Sequence, residues 1–199
     1  YEMGLTSLES TDENLKRIGL SLTLGGGEVR LLELAQAFGV FATGGERHEL
    51  QAILKVVDSK GKTIFEQKPV SGRRVLSPEI AYLISDILSD NEARKEVFGS
   101  RSYLVIGGRT VAAKTGTTDD KRDNWAIGYT PTYLVAAWVG NNDNTPMNPA
   151  ITSGITGATP IWNEIMTFLL KDKVNEAFKV PSGVAGREIC GTTGGQKSE

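Results

Sequence analysis

Lys114, Thr115, Gly116 and Thr117 stand together in the run VAAKTGTT, residues 111–118, and combine a cation, two hydroxyls and a residue with no side chain. A lysine held half-buried at a sheet edge offers a fixed positive charge, able to hold a carboxylate and to ease ionisation of a neighbouring hydroxyl. Gly116 leaves room where another backbone must approach. If the run is an edge strand, the N–H and C=O of Thr117 are free to pair with an extended peptide or to donate to a developing oxyanion. Strand alternation puts Lys114 and Gly116 on one face and Thr115 and Thr117 on the other, so twist near the strand end is needed to bring both hydroxyls to one site. Taken alone, Lys-Thr-Gly is a common tripeptide that ends many ordinary strands.

Other groups able to do chemistry are few. His48 is the only histidine and Cys190 the only cysteine, which excludes His-paired metal sites, cysteine clusters and an internal disulfide. A Ser-His-Asp triad would depend on His48 in a Gly-Gly-Glu-Arg-His loop, where a lone histidine is ordinarily a solvated side chain. Asp119, Asp120 and Asp143 lie in loops near Lys121 and Arg122 and read as solvated turns, so neither a metal nor a cofactor is expected. Arg122 or Asp123 borders the candidate groove on sequence proximity alone.

The elements that must position the lysine follow from periodicity. The strand at Thr110–Thr118 is followed by apolar, β-rich runs at Asn124–Tyr129 and Tyr133–Val139, and Thr130-Pro131-Thr132 is too short for a helical crossover, so the last two runs pair antiparallel. Thr159 as N-cap and Pro160 at the first turn open a helix whose Ile161, Trp162, Ile165 and Leu169 cover one sheet face. Upstream, Leu31, Leu34, Ala35, Phe38 and Ala42 form the stripe of a one-sided helix ended by Gly44-Gly45. Residues 52–66 read as a hairpin around Asp58-Ser59-Lys60-Gly61. Ser77-Pro78 opens a second helix with Ile80, Leu83, Ile84, Ile87 and Leu88 inward, and a Gly/Ser-rich connector leads from it to the first strand. Residues 1–27 read as loop and short helical turns, and Trp125, Trp138 and Trp162 fall on core faces. The result is an α+β layered domain over 1–180 with a polar Gly/Thr-rich tail at 181–199.

Composition sets the bounds. The chain has 199 residues, 39% apolar and 23% charged, enough for one core. Its 22 basic residues against 24 acidic ones give no excess to attract a phosphate backbone, so nucleic acid is not an expected partner. No stretch reaches the ~18 apolar residues of a membrane span, and if the parent is exported its targeting segment lies outside these residues.

The longer text KTGTTDDKRDNWAIGYTP, then AAWVGNND, NTPM and GATPIWNEIM, resembles the transpeptidase domain of bifunctional, class A-type penicillin-binding proteins segment by segment. LTLGGGEVRLLELAQAFGVFATGG and the hairpin at 52–66 resemble the same family in the same order, so the likeness covers roughly residues 5–170. The resemblance implies a β-lactamase/transpeptidase-like antiparallel sheet with flanking helices and the N-terminal part of the domain missing. It implies that Lys114, Thr115, Gly116 and Thr117 bind the terminal carboxylate of a D-Ala-D-Ala stem peptide or a β-lactam. It makes Lys114 and Thr117 the catalytic members, the Thr117 amide supplying half of the oxyanion hole. It further implies peptidoglycan cross-linking by serine acylation on the extracytoplasmic face of the bacterial membrane, with the anchor outside this chain.

A complete site of that kind also needs a serine at the start of a buried helix, a lysine one turn later and a facing Ser-x-Asn loop. Ser59-Lys60-Gly61-Lys62 and Ser89-Asp90-Asn91 match as strings. Ser59 falls in a hairpin turn, and Ser89-Asp90-Asn91 ends a helix and caps the next segment, so both are set aside. The nucleophile and the facing loop are therefore expected before Tyr1, and the fragment alone is expected to be inactive. A non-catalytic sensor of penicillin or cell-wall peptide, and a serine β-lactamase or D,D-carboxypeptidase, are the alternative readings.

Overall fold

The computed structural model describes residues 1–148, 156–190 and 193–195. Its helices are α1 (Asp12–Ile18), α2 (Leu31–Ala42), α3 (Pro78–Ser89), α4 (Asn91–Phe98) and α5 (Ala158–Leu170). Its strands are β1 (Glu46–Arg47), β2 (Lys55–Val57), β3 (Thr63–Glu66), β4 (Arg73–Arg74), β5 (Ala112–Thr117), β6 (Asp123–Tyr129) and β7 (Leu134–Gly140). The architecture is α+β, with antiparallel sheets and flanking helices.

The three-stranded sheet β5-β6-β7 holds the chain together. Its register is unbroken from Ala112 opposite Tyr129 to Thr117 opposite Asn124, and from Asp123 opposite Gly140 to Tyr129 opposite Leu134. The β6–β7 turn closes locally: Thr130 N–H donates to the Tyr133 carbonyl at 2.8 Å, while Thr130 Oγ1 accepts from the amides of Thr132 and Tyr133. Helix α5 packs on one face, placing Trp162, Met166 and Leu170 against Ala113, Ala126, Val135 and Ala137. Gly128 makes this possible, because a β-carbon there would stand 2.4 Å from Trp162 Cζ2 and 2.7 Å from the Ala112 carbonyl oxygen. Helices α2 and α3 cover the other face. There the buried Tyr129 hydroxyl meets Ser85 Oγ at 3.0 Å and its ring meets Phe38 edge-on. Burial pushes the Tyr129 phenol up to about 12.

Two helices present different faces from those the periodicity selects. On α3, Ile80, Leu83 and Ile87 are exposed, and Ala81 and Ser85 point inward instead. Small side chains let the helix approach β5 closely, and Ser85 gains the buried Tyr129 partner. On α5, Ile161 and Ile165 stay 47% and 44% exposed, because the Trp162 ring takes the space over Gly128 and turns the helix onto Trp162, Met166 and Leu170. The helix starts at Ala158, one residue before the expected cap at Thr159, and Asn124 Oδ1 accepts the Ala158 amide at 2.6 Å in place of a local cap. Trp162 is fully buried, whereas Trp125 and Trp138 are half-buried and meet each other edge-on at 6.4 Å.

The periphery keeps its turn chemistry. Ser77 Oγ accepts the Ile80 amide at the start of α3, and Gly61 takes a φ of 80° in the β2–β3 hairpin, where Asp58 Oδ1 accepts the amides of Lys60 and Lys62. All seven residues of β2 and β3 are exposed. Helix α4 replaces the first part of the expected connector, with Asp90 as its N-cap accepting from the Ala93 amide. The β1–β4 pair and the short α1 are further elements that periodicity does not signal. Near the N-terminus, Thr6 Oγ1 and Ser7 Oγ donate to the Glu33 carboxylate at 2.6 and 2.7 Å, tying the first turn to α2. Of the tail expected at 181–199, residues 191–192 and 196–199 lie outside the described residues. Among the described residues, no helix is long and apolar enough to cross a membrane.

Candidate functional site

Strand β5 is an edge strand, paired with β6 on one side and with no other strand among the described residues. Backbone groups of alternate residues point to opposite sides of a strand. The Thr118 amide donates to the Asp123 carbonyl at 3.0 Å, continuing the ladder with β6, so the N–H and C=O of Thr117 point away from β6. The same alternation puts the backbone groups of Ala113 and Thr115 on the free side. Two side-chain bonds confirm it: Arg94 Nη1 donates to the Ala113 carbonyl at 3.0 Å, and Lys114 Nζ donates to the Thr115 carbonyl at 2.5 Å.

Lys114 is exposed, which corrects the expectation of a half-buried ammonium. Helix α3 packs on β5, and on that strand Ala112 is fully buried whereas Lys114, two residues further along the same face, is exposed, so cover of this face thins toward the strand end. The ammonium therefore settles on its own strand's carbonyl. Gly116 is half-buried, and a β-carbon added there would meet Trp125 Cβ at 3.6 Å, an ordinary contact. Packing within the chain does not demand glycine at this position.

The β5–β6 register runs unbroken through Thr117, so the alternation of faces persists to the end of the strand. Thr115 and Thr117 share the α5 face, and Lys114 and Gly116 lie on the opposite one. The Thr117 hydroxyl accepts a hydrogen bond from Asn124 Nδ2 at 3.1 Å. Asn124 is fully buried and reaches from Thr117 to the first amide of α5, so it links the strand of interest to a helix terminus. Sequence reasoning passed over Asn124; its only signal was a polar residue at an inward position of a buried strand.

The turn after Thr117 is clamped by Asp123. Thr118 Oγ1 donates to Asp123 Oδ2 at 3.0 Å, the Asp123 amide donates to Thr118 Oγ1 at 2.8 Å, and Trp138 Nε1 donates to Asp123 Oδ1 at 2.9 Å. Between them Asp120 and Lys121 adopt φ of 57° and 55°, a conformation that only a tightly closed turn imposes on such residues. Arg122 donates to the Asn144 carbonyl and lies 3.5 Å from Asp120, so it braces the neighbouring loop.

The two serine strings do not meet this edge. Ser59 and Lys62 are both exposed in the β2–β3 turn. Ser89 ends α3 and donates to the Asp86 carbonyl at 3.1 Å, while Asp90 caps α4. His48 sits 3.7 Å from Glu46 beside the β1–β4 pair.

A family profile described as penicillin binding protein transpeptidase domain matches residues 9–167. The chain is 34% identical over 171 residues to penicillin-binding protein 1A of Neisseria lactamica, which covers 84% of this chain and 21% of the relative. The chain thus spans about a fifth of the length of that relative. Penicillin-binding protein 1A from Haemophilus influenzae superposes with a TM-score of 0.80 at 24% identity, over 100% of this chain and 34% of that one. The PonA1 protein of Mycobacterium tuberculosis in complex with penicillin V superposes with a TM-score of 0.68 at 26% identity, over 91% of this chain and 50% of that one.

Proposed function

Because the chain belongs to the penicillin-binding protein transpeptidase family, we propose that its β5 edge is the donor-binding side of a D,D-transpeptidase that cross-links peptidoglycan stem peptides. The observation that carries the proposal is a free strand edge on which the outward Thr117 N–H follows three residues after an exposed Lys114 ammonium.

In this reading the donor peptide lies along the edge. Lys114 leaves the Thr115 carbonyl and pairs with the terminal carboxylate of the D-Ala-D-Ala donor, while Thr115 and Thr117 approach from the other face. A ligand at an edge is reachable from both faces, which removes the need for a twisted strand end. A serine oxygen bonds to the carbonyl carbon of the penultimate D-Ala, and the negative charge that develops on the carbonyl oxygen is met by the Thr117 N–H. The C–N bond breaks, the terminal D-Ala leaves with a proton on its nitrogen, and an acceptor amine then displaces the serine oxygen. β-Lactams act as acylating mimics of the donor, a role supported by the penicillin V complex of the Mycobacterium tuberculosis relative.

The serine, its lysine base and the facing loop come from polypeptide outside these 199 residues, since Ser59 is exposed in a hairpin turn and Ser89 ends α3 with its hydroxyl on the Asp86 carbonyl. The same polypeptide anchors the domain on the outer face of the cytoplasmic membrane. The chain alone gives no labelled band after incubation with fluorescent penicillin, and a band at 21.4 kDa would return Ser59 and Ser89 to candidacy. In the longer polypeptide, Lys114→Ala slows acylation by about 100-fold or more, and an unchanged rate would remove Lys114 from the site.

A further inference from the structure

Asn124 has one orientation open to it, and that orientation decides where the Thr117 hydroxyl sends its proton. The Ala158 N–H can only donate, so the atom that meets it at 2.6 Å is the carboxamide oxygen of Asn124. The other end of the carboxamide is then the nitrogen, which donates to Thr117 Oγ1 at 3.1 Å. A hydroxyl that accepts from an N–H must point its own proton elsewhere. Thr117 is exposed, and among the described residues its hydroxyl donates to no acceptor, so the proton is left for a ligand at the open edge.

The carboxamide is held too closely to turn over. Asn124 is fully buried and stands opposite Thr117 in the β5–β6 register. Helix α5 starts directly on it: Gly157 occupies the N-cap position without a side chain, and a β-carbon there would stand 2.4 Å from Asn124 Oδ1. Glycine thus permits the approach that delivers the Ala158 N–H. The partial positive charge at the start of a helix draws electron density toward that oxygen, which makes the nitrogen a stronger donor, and each bond in the row reinforces the next.

We propose that Asn124 is a positioning residue that commits the Thr117 hydroxyl to donating, so that the edge selects a terminal carboxylate over a terminal carboxamide. The inference rests on the reading of β5 as the donor-binding edge. Lys114 has only protons to offer, and with Asn124 in place the Thr117 hydroxyl offers one as well. A carboxylate brings an oxygen to each. A carboxamide has one oxygen and one nitrogen, so it sets donor against donor at one of the two. The charge of Lys114 attracts any anion, whereas the direction of the Thr117 hydroxyl tests a second atom of the same group.

Asn124→Asp is the informative substitution. It keeps an oxygen for the Ala158 amide and puts a second acceptor where the nitrogen stood, so the Thr117 hydroxyl donates inward and shows the ligand its lone pairs. The test is an amide-resolved NMR titration of the full chain with N-acetyl-D-Ala-D-Ala and with its C-terminal carboxamide, at about millimolar concentration. In the unaltered chain the acid moves the Thr115 and Thr117 amides together with the side-chain NH2 signals of Asn124, and it binds more tightly than the carboxamide. In Asn124→Asp the preference for the acid shrinks by about tenfold, the worth of one charge-assisted hydrogen bond. The added carboxylate also repels the acid, and Thr117→Val isolates that part: without the hydroxyl, Asn124→Asp changes the preference by no more than about twofold. Thr117→Ser, which keeps the hydroxyl, restores the larger change. Unchanged β6 and β7 amide positions certify that each variant is folded. A change as large in the Thr117→Val background as in the parent overturns the inference alone, as do Asn124 side-chain signals that stay in place when the acid binds to the unaltered chain, a readout that needs no variant. If neither probe moves Thr115 or Thr117, the donor-edge reading falls and the role of Asn124 falls with it.

Discussion

At the scale of single residues, the site depends on groups that hold others still. Asn124 is the clearest, because it satisfies the Thr117 hydroxyl and the first amide of α5 from a position without solvent. Asn124→Ala leaves the buried Ala158 amide without its acceptor and the Thr117 hydroxyl without its donor, and is expected to cost about 1–3 kcal/mol, read as a lowered urea midpoint at constant slope. A midpoint within error of the parent would mean that water replaces the amide. The placement of the candidate residues was legible at this scale: Lys114, Thr115, Gly116 and Thr117 lie on one edge strand. The exposure of Lys114 was not legible, since it depends on where the cover of its face thins along β5. Nor were Arg94 and Asn124, whose partners lie 19 and 34 residues away in sequence.

At the scale of elements, periodicity located α2, α3, α5 and the strands β2, β3, β5, β6 and β7, passed over α1, α4 and the β1–β4 pair, and misjudged which side of two helices faces inward. Hydrophobic pattern ranks α3 by its isoleucines and leucines, whereas the structure turns Ala81 and Ser85 to the sheet because small residues permit closer packing. On α5 the deciding contact is a ring against a missing side chain, Trp162 over Gly128. A Gly128→Ala substitution drives a methyl group into both that ring and the Ala112 carbonyl. It is expected to destabilise the chain by about 1–3 kcal/mol and to quench or shift Trp162 fluorescence, while Gly116→Ala, with only an ordinary contact at Trp125, leaves stability nearly unchanged. Equal effects of the two substitutions would show that the sheet–α5 distance is not set by Gly128.

At the scale of the whole molecule, the Glu33 carboxylate ties the N-terminal turn to α2, beside the Glu2 contacts to Arg47 and Arg73. Hydrogen bonds from Thr6, and then from Ser7, together with the Arg30 guanidinium, hold Glu33 at about 2, against 4.5 for a free side chain, although burial works in the opposite direction. A carboxyl group depressed in the folded state contributes stability that is complete above its unfolded value and is lost as pH falls through the folded one. Stability should therefore decline between about pH 5 and pH 2, and Glu33→Gln should flatten that part of the profile. An identical acid limb in both proteins would assign the loss to other carboxylates. The β2–β3 hairpin lies outside all of this, its strands exposed and its two ends, Lys55 and Glu66, side by side. Its tip is consequently a place where a fluorophore, an affinity handle or an entire foreign domain could be spliced in, entering and leaving through adjacent strands without the β5 edge registering the passenger.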